Sequence, residues 1–141
     1  MSRVFWDAML LIYLLEGHEE FRPRADALLA RSRRRGDTLF TSHLAVGEIM
    51  AGVERYEKPL KIASVRQTLI EIGFRFLPFD DGAIRPFSIL RGREKIQIAD
   101  SIHLACAASA GIDLFLTGDR RLTRLDVQGI QFIVDFNSSI F

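Results

Sequence analysis

A single cysteine, Cys106, in 141 residues leaves no internal disulfide to staple the fold and no thiolate cluster to hold zinc. Histidine is scarce as well, with three copies and no cluster, and only four prolines occur, none in a low-complexity or linker-like stretch. The longest apolar run, Ala8 to Leu15, is bounded by Asp7 and Glu16 and falls far short of the ~20 residues a membrane span needs. The first residues lack the basic start and cleavage pattern of a signal peptide, so the expected location is the cytoplasm, without membrane attachment. A net charge of +1 is too small to hold nucleic acid by bulk attraction.

What is present is the composition of a globular chain, 48% hydrophobic and 26% charged. Its length suits one domain, residues 1–141, able to bury about 68–70% of the surface its unfolded form exposes. Val4 to Asp7 reads as a short buried strand, followed by an apolar helix from Met9 to Leu15 that Gly17 ends. Pro23 suits the first turn of a second helix, which carries an Ala25, Leu28, Leu29 stripe and stops at Gly36 after the basic block Arg31, Arg33, Arg34 and Arg35. Thr38 to Thr41 gives a second strand, and Ser42 caps a helix that runs through Glu48 to Arg55. Pro59 opens the next helix, with Leu60, Ala63, Leu69 and Ile70 as its buried side, before a third strand from Phe74 to Leu77.

Asp80 or Asp81 caps a helix that Pro86 is expected to kink or delay. A basic connection, Arg91 to Lys95, leads to a helix from Gln97 to Ala110, then strands at Asp113 to Thr117 and Gln131 to Phe136. Strands alternating with helices predict an α/β fold: a three-layer α/β/α sandwich with a mainly parallel sheet of about five strands.

Four acids stand beside apolar runs: Asp7, Glu48, Asp100 and Asp119. In a parallel sheet, residues beyond the carboxyl ends of neighbouring strands meet in one crevice, which Asp7 and Asp119 reach directly and Glu48 and Asp100 reach from flanking helices. Two carboxylates about 4 Å apart repel by roughly 4 kcal/mol at an effective dielectric near 20, so four in one cleft require neutralisation. An all-oxygen donor set suits Mg²⁺, with Mn²⁺ as a substitute, and such ions serve phosphodiester chemistry. Gly47 and Gly52 around Glu48, and Ala99, Ala105, Ala107, Ala108 and Ala110 on the Asp100 helix, suggest close backbone approach. Asp80 and Asp81 also follow a strand, but capping accounts for them.

The segments Phe5-Trp6-Asp7 with Leu11 to Gly17, Leu44-Ala45-Val46-Gly47-Glu48, Ile98-Ala99-Asp100-Ser101-Ile102-His103-Leu104-Ala105 and Phe115-Leu116-Thr117-Gly118-Asp119-Arg120-Arg121-Leu122 resemble the PIN domain family. The likeness covers nearly the whole chain and is greatest to the small VapC-type toxins of toxin–antitoxin pairs. That resemblance implies a PIN-like fold and a Mg²⁺-dependent endoribonuclease, with Asp7, Glu48, Asp100 and Asp119 as the catalytic, metal-binding acids and Thr117 orienting the site. It also implies a small cognate antitoxin as partner, and a homodimer. The family usually has threonine or serine after its first aspartate, whereas Ala8 here offers no hydroxyl to support Asp7.

Arg91, Arg93 and Lys95 before the Asp100 helix, and Arg120 and Arg121 after Asp119, are the candidate contacts to RNA phosphates. The Arg31–Arg35 block reads equally well as a solvated helix end. His103, one turn beyond Asp100, is expected to be a satisfied packing histidine rather than a base. Cys106 and Trp6 are expected in the core. Two other readings remain: a PIN-fold module that binds RNA without cutting it, and a phospho-accepting receiver domain. The receiver needs paired acids after its first strand and a late lysine, neither of which is present.

Overall fold

The structure is a computed structural model and describes residues 1–56 and 61–138. Along the chain run β1 (Arg3–Trp6), α1 (Ala8–Glu16), α2 (Arg22–Arg35), β2 (Thr38–Ser42), α3 (His43–Tyr56), α4 (Ile62–Ile72), β3 (Phe74–Leu77), α5 (Asp81–Gly92), α6 (Ile98–Ala110), β4 (Ile112–Thr117), a 3-10 helix (Arg120–Arg124) and β5 (Ile130–Asp135). All five strands are parallel, in the order β3-β2-β1-β4-β5. β1 therefore lies at the centre, where the chain first winds toward β2 and later crosses back to β4. Such a reversal leaves a crevice beyond the strand ends, and Asp7 is the first residue past β1.

Because strand side chains alternate between faces, β1 feeds two cores. Val4 and Trp6 pack with Leu10, Leu14, Leu28, Val46, Ile49 and Leu69 from α1 to α4. Phe5 points the other way, stacking on Phe115 at 4.7 Å in a cluster with Leu90 and Leu104 of α5 and α6. The three-layer arrangement follows from that alternation. Trp6 is fully buried with its ring edge toward Phe74, and Cys106 is a core residue whose thiol burial pushes up to about 11, far from a nucleophile. Among the described residues, no helix is long and apolar enough to cross a membrane.

Several boundaries match the local chemistry. The Ser42 hydroxyl accepts the Ala45 N–H at 3.0 Å and Asp80 accepts that of Ala83 at 3.2 Å, so both cap as expected. Pro86 sits inside α5, which starts at Asp81, so the helix is not delayed to the proline. In α4 the buried side is Val65 and Leu69, the latter as expected, while Ala63 and Ile70 are exposed. Pro59 and Leu60 lie outside the described residues.

Two glycine arguments separate here. A Cβ on Gly47 or Gly52 would meet no atom within 4 Å, so no backbone approaches there and that part of the sequence reading is wrong. Gly129, at φ +102, is the real close approach: a Cβ there would lie 2.4 Å from the Ala108 carbonyl oxygen of α6. The small residues Ala105, Ala107 and Ala108 do bury α6 against the sheet.

Arg3 ties the far end of α6 to β1. Its Nε and Nη2 donate to the carbonyls of Gly111 (3.2 Å) and Ala110 (2.9 Å), and its guanidinium carbon lies 4.6 Å from the Phe40 ring centre. A cation on the last carbonyls of a helix opposes the negative end of its dipole. Arg3→Ala is expected to lower stability by about 1 kcal/mol in urea unfolding; an unchanged midpoint would show that solvent replaces these contacts at no cost.

Candidate active site

The four acids come from four elements. Asp7 caps α1 directly after β1, Asp119 caps the 3-10 helix two residues after β4, Glu48 lies on α3, and Asp100 lies in the first turn of α6. Parallel pairing of β1 with β4 brings the first two together, and the Asp7 N–H donates to Leu116 O at 3.0 Å. Asp100 feels the negative charges of Asp7, Asp119 and Glu48, which places all four in one electrostatic neighbourhood.

Asp7 is held on both oxygens. Oδ1 accepts the Ala8 N–H at 2.8 Å and Oδ2 accepts the Thr117 hydroxyl at 3.0 Å. Thr117 is fully buried, and its Oγ1 in turn accepts the Asp119 N–H at 3.1 Å, so one hydroxyl sets two strand ends in register. The missing hydroxyl at Ala8 thus matters less than the sequence suggested, since support arrives from β4 and from the backbone. Burial nevertheless pushes the Asp7 carboxyl above the usual carboxylate range, against the pull that His103 exerts when its ring is protonated and against these two hydrogen bonds.

Asp100 is half-buried and accepts no hydrogen bond among the described residues. Burial pushes its carboxyl up too, with the charges of Asp7, Asp119 and Glu48 adding to the shift and His103 opposing it. Asp119 differs. Arg121 grips it through Nε–Oδ1 at 3.1 Å and Nη2–Oδ2 at 2.8 Å, adds its backbone N–H at 2.9 Å, and holds this carboxyl below the usual range.

Glu48 is bound by His103, whose Nε2 lies 2.5 Å from Oε1, while Nδ1 lies 2.7 Å from the Ser42 hydroxyl oxygen. The ring is buried and satisfied as expected, but one of its partners is a site acid, which sequence reasoning missed. Histidine spacing on α6 was visible; the facing position on α3 was not. Asp80 is occupied by its cap and by the Ser109 hydroxyl at 2.5 Å, which matches the capping role expected of it.

The basic candidates divide. Arg121 belongs to the site through Asp119. Arg120 turns instead to Asp135 at 3.0 Å, and Arg91 closes its own loop on Ile96 O at 2.8 Å. Arg93 and Lys95 are exposed on the connection leading to α6. In the other basic block, Arg35 pairs with Asp37 at 2.9 Å.

Among the described residues, no three His, Cys, Asp or Glu side chains stand close enough to enclose an ion by protein atoms alone. This departs from a closed four-acid cage. The donor set still suits Mg²⁺, which takes one or two carboxylates and retains several waters, better than a structural zinc. Asp7 and Asp100, both raised by burial, are the pair in most need of a cation.

The comparisons agree with the architecture. In solved structures, the chain is similar to one from a toxin–antitoxin complex of Klebsiella pneumoniae, at 20% identity and a TM-score of 0.65, with 92% of this chain and 95% of the other covered. It is similar to one from VapBC2 of Rickettsia felis bound to a promoter DNA fragment, at 14% identity and 0.71, covering 94% and 97%. A third, VapBC-5 of Mycobacterium tuberculosis, gives 22% identity and 0.63, covering 96% and 99%. At these identities the likeness is one of fold. No curated protein is matched. The PIN domain family model matches residues 4–128, a span that includes all four acids and the crossing from β1 to β4 that assembles them, and the chain belongs to the PIN domain family.

Proposed function

We propose that the chain is a Mg²⁺-dependent endoribonuclease, with Mn²⁺ able to substitute, and that it acts as the toxin of a type II toxin–antitoxin pair. The observation that carries the reading is Asp100: a half-buried carboxylate that accepts no hydrogen bond among the described residues and stands in the field of three other acids, while Arg121, whose charge also reaches it, is already committed to Asp119. Such a group is stabilised by a cation. Asp7 and Asp100 would hold the ion, with Glu48 and Asp119 as the further acids around it. When bound, Mg²⁺ supplies Lewis-acid stabilisation of phosphodiester oxygens and lowers the pKa of water.

The chain's own residues supply orientation. Thr117 fixes the Asp7 carboxylate, the Ala8 N–H holds its other oxygen, and Arg121 can exchange Asp119 for a phosphate as substrate enters. Arg93 and Lys95 offer exposed charge for the backbone on either side of the scissile bond. Fold likeness to chains from three toxin–antitoxin assemblies supports a small antitoxin as partner; that the toxin is a homodimer is part of the same proposal.

Purified protein is expected to cleave total cellular RNA in millimolar Mg²⁺, to stop on EDTA addition and to resume when Mg²⁺ is restored in excess. Cleavage that ignores EDTA would end the metal reading. RNA binding with no cleavage across Mg²⁺ and Mn²⁺ concentrations would favour the binding module instead.

A further inference from the structure

The acid on α3 is aimed by groups outside the carboxylate cluster. His103 is 2% exposed and Ser42 is fully buried, so solvent does not compete for the hydrogen bonds between them. Ser42 Oγ already accepts the Ala45 N–H, which leaves its own hydrogen to donate, and among the described residues the partner found for it is His103 Nδ1 at 2.7 Å. With Nδ1 accepting, the ring proton resides on Nε2 and points at Glu48 Oε1, 2.5 Å away. The chain of bonds starts and ends on the same stretch of protein: Ser42 caps α3, and Glu48 lies six residues further on. α6 carries the intervening ring, placed one turn after Asp100 and against Phe5 with ring centres 6.4 Å apart.

We propose that Ser42 and His103 form a positioning relay that fixes the Glu48 carboxylate relative to Asp100, so that cation affinity depends on a histidine that never touches the cation. Glu48 is the acid most in need of such help, since its side chain is 39% exposed and a glutamate loses more rotamer freedom on fixing than an aspartate. One ring thereby locks the acid of α3 to the helix that bears the acid of α6. The inference rests on Glu48 belonging to the ion site, and the test separates the two.

The probe is Mn²⁺ alone, its binding to metal-free protein followed by loss of the free-ion EPR signal. Glu48→Ala and His103→Asn are each expected to weaken binding by about 10-fold or more, as removal of an outer partner of a metal ligand commonly does. Asparagine keeps a group at the Nδ1 position for Ser42 but loses the donor to Glu48. His103→Gln reverses this, placing an N–H where Nε2 stands, and is expected to recover most of the lost affinity. Equal losses in His103→Asn and His103→Gln, tracking a common fall in melting temperature, would reduce the ring to packing and overturn the relay. Weakening by Glu48→Ala without weakening by His103→Asn would overturn it while leaving the nuclease reading intact; full affinity in Glu48→Ala would remove Glu48 from the site and the relay with it. Independently of any variant, ¹⁵N spectra of the wild-type imidazole should show the Nε2–H tautomer, and an Nδ1–H tautomer would contradict the proposed direction of the chain.

Discussion

Asp100→Asn should yield a protein that no longer cuts RNA yet unfolds less readily than the wild type when metal is absent. The activity loss is expected to be about 10²–10³-fold, since metal stabilisation of the transition state is worth several kcal/mol and each 1.36 kcal/mol is tenfold. The stability gain follows from the raised carboxyl. Its native pKa exceeds the unfolded value near 3.8, so between those two values the native state binds more protons and stability falls as pH rises. Below 3.8 the wild type carries no such penalty; above the native pKa it carries all of it. Asparagine is nearly isosteric, never ionises, and forfeits no hydrogen bond found among the described residues. Urea unfolding in EDTA at pH 4 and pH 7 should show the variant's advantage growing toward neutrality. A variant less stable than wild type at pH 7, or one that cleaves at the wild-type rate, would refute the account of Asp100.

Gly129→Ala carries the largest structural cost expected here, about 2–5 kcal/mol. The added Cβ would stand 2.4 Å from a backbone carbonyl of α6, which cannot rotate away as a side chain end would, and a φ of +102 is strained for any residue with a Cβ. Left-handed strain of about 1–3 kcal/mol and overpacking of a similar size combine. Relief requires α6 to move from the start of β5, and α6 carries Asp100 at its opposite end. Chemical denaturation measures the loss; a change under 0.5 kcal/mol would mean that the approach relaxes freely.

The acids were legible because each follows or faces a buried strand, and a parallel α/β fold leaves few places for such residues to go. Sheet composition and helix order were readable for the same reason, from apolar runs ended by Gly17 and Gly36 and capped by Ser42 and Asp80. What escaped was pairwise geometry. Glycine at 47 and 52 looks the same in sequence whether or not a neighbour approaches, while Gly129, which does matter, sits in an unremarkable turn. The 3-10 helix after Asp119 was hidden by Arg120 and Arg121, which read as RNA contacts although one clasps Asp119 and the other Asp135. His103 was correctly buried, but its tie to Glu48 spans 55 residues and leaves no local signature.

The hydroxyl that steadies Asp7 arrives 110 residues later in the chain. Closing a loop of that size costs roughly 4 kcal/mol of entropy before any contact repays it, which makes the docking of β4 on β1 a late step of folding. During synthesis Asp7 emerges first and waits without its β4 partner until Thr117 has left the ribosome. For a chain proposed to cut RNA, cleavage competence would then come only after Thr117 has been made, so the message being read is spared while the nascent chain is still shorter than that.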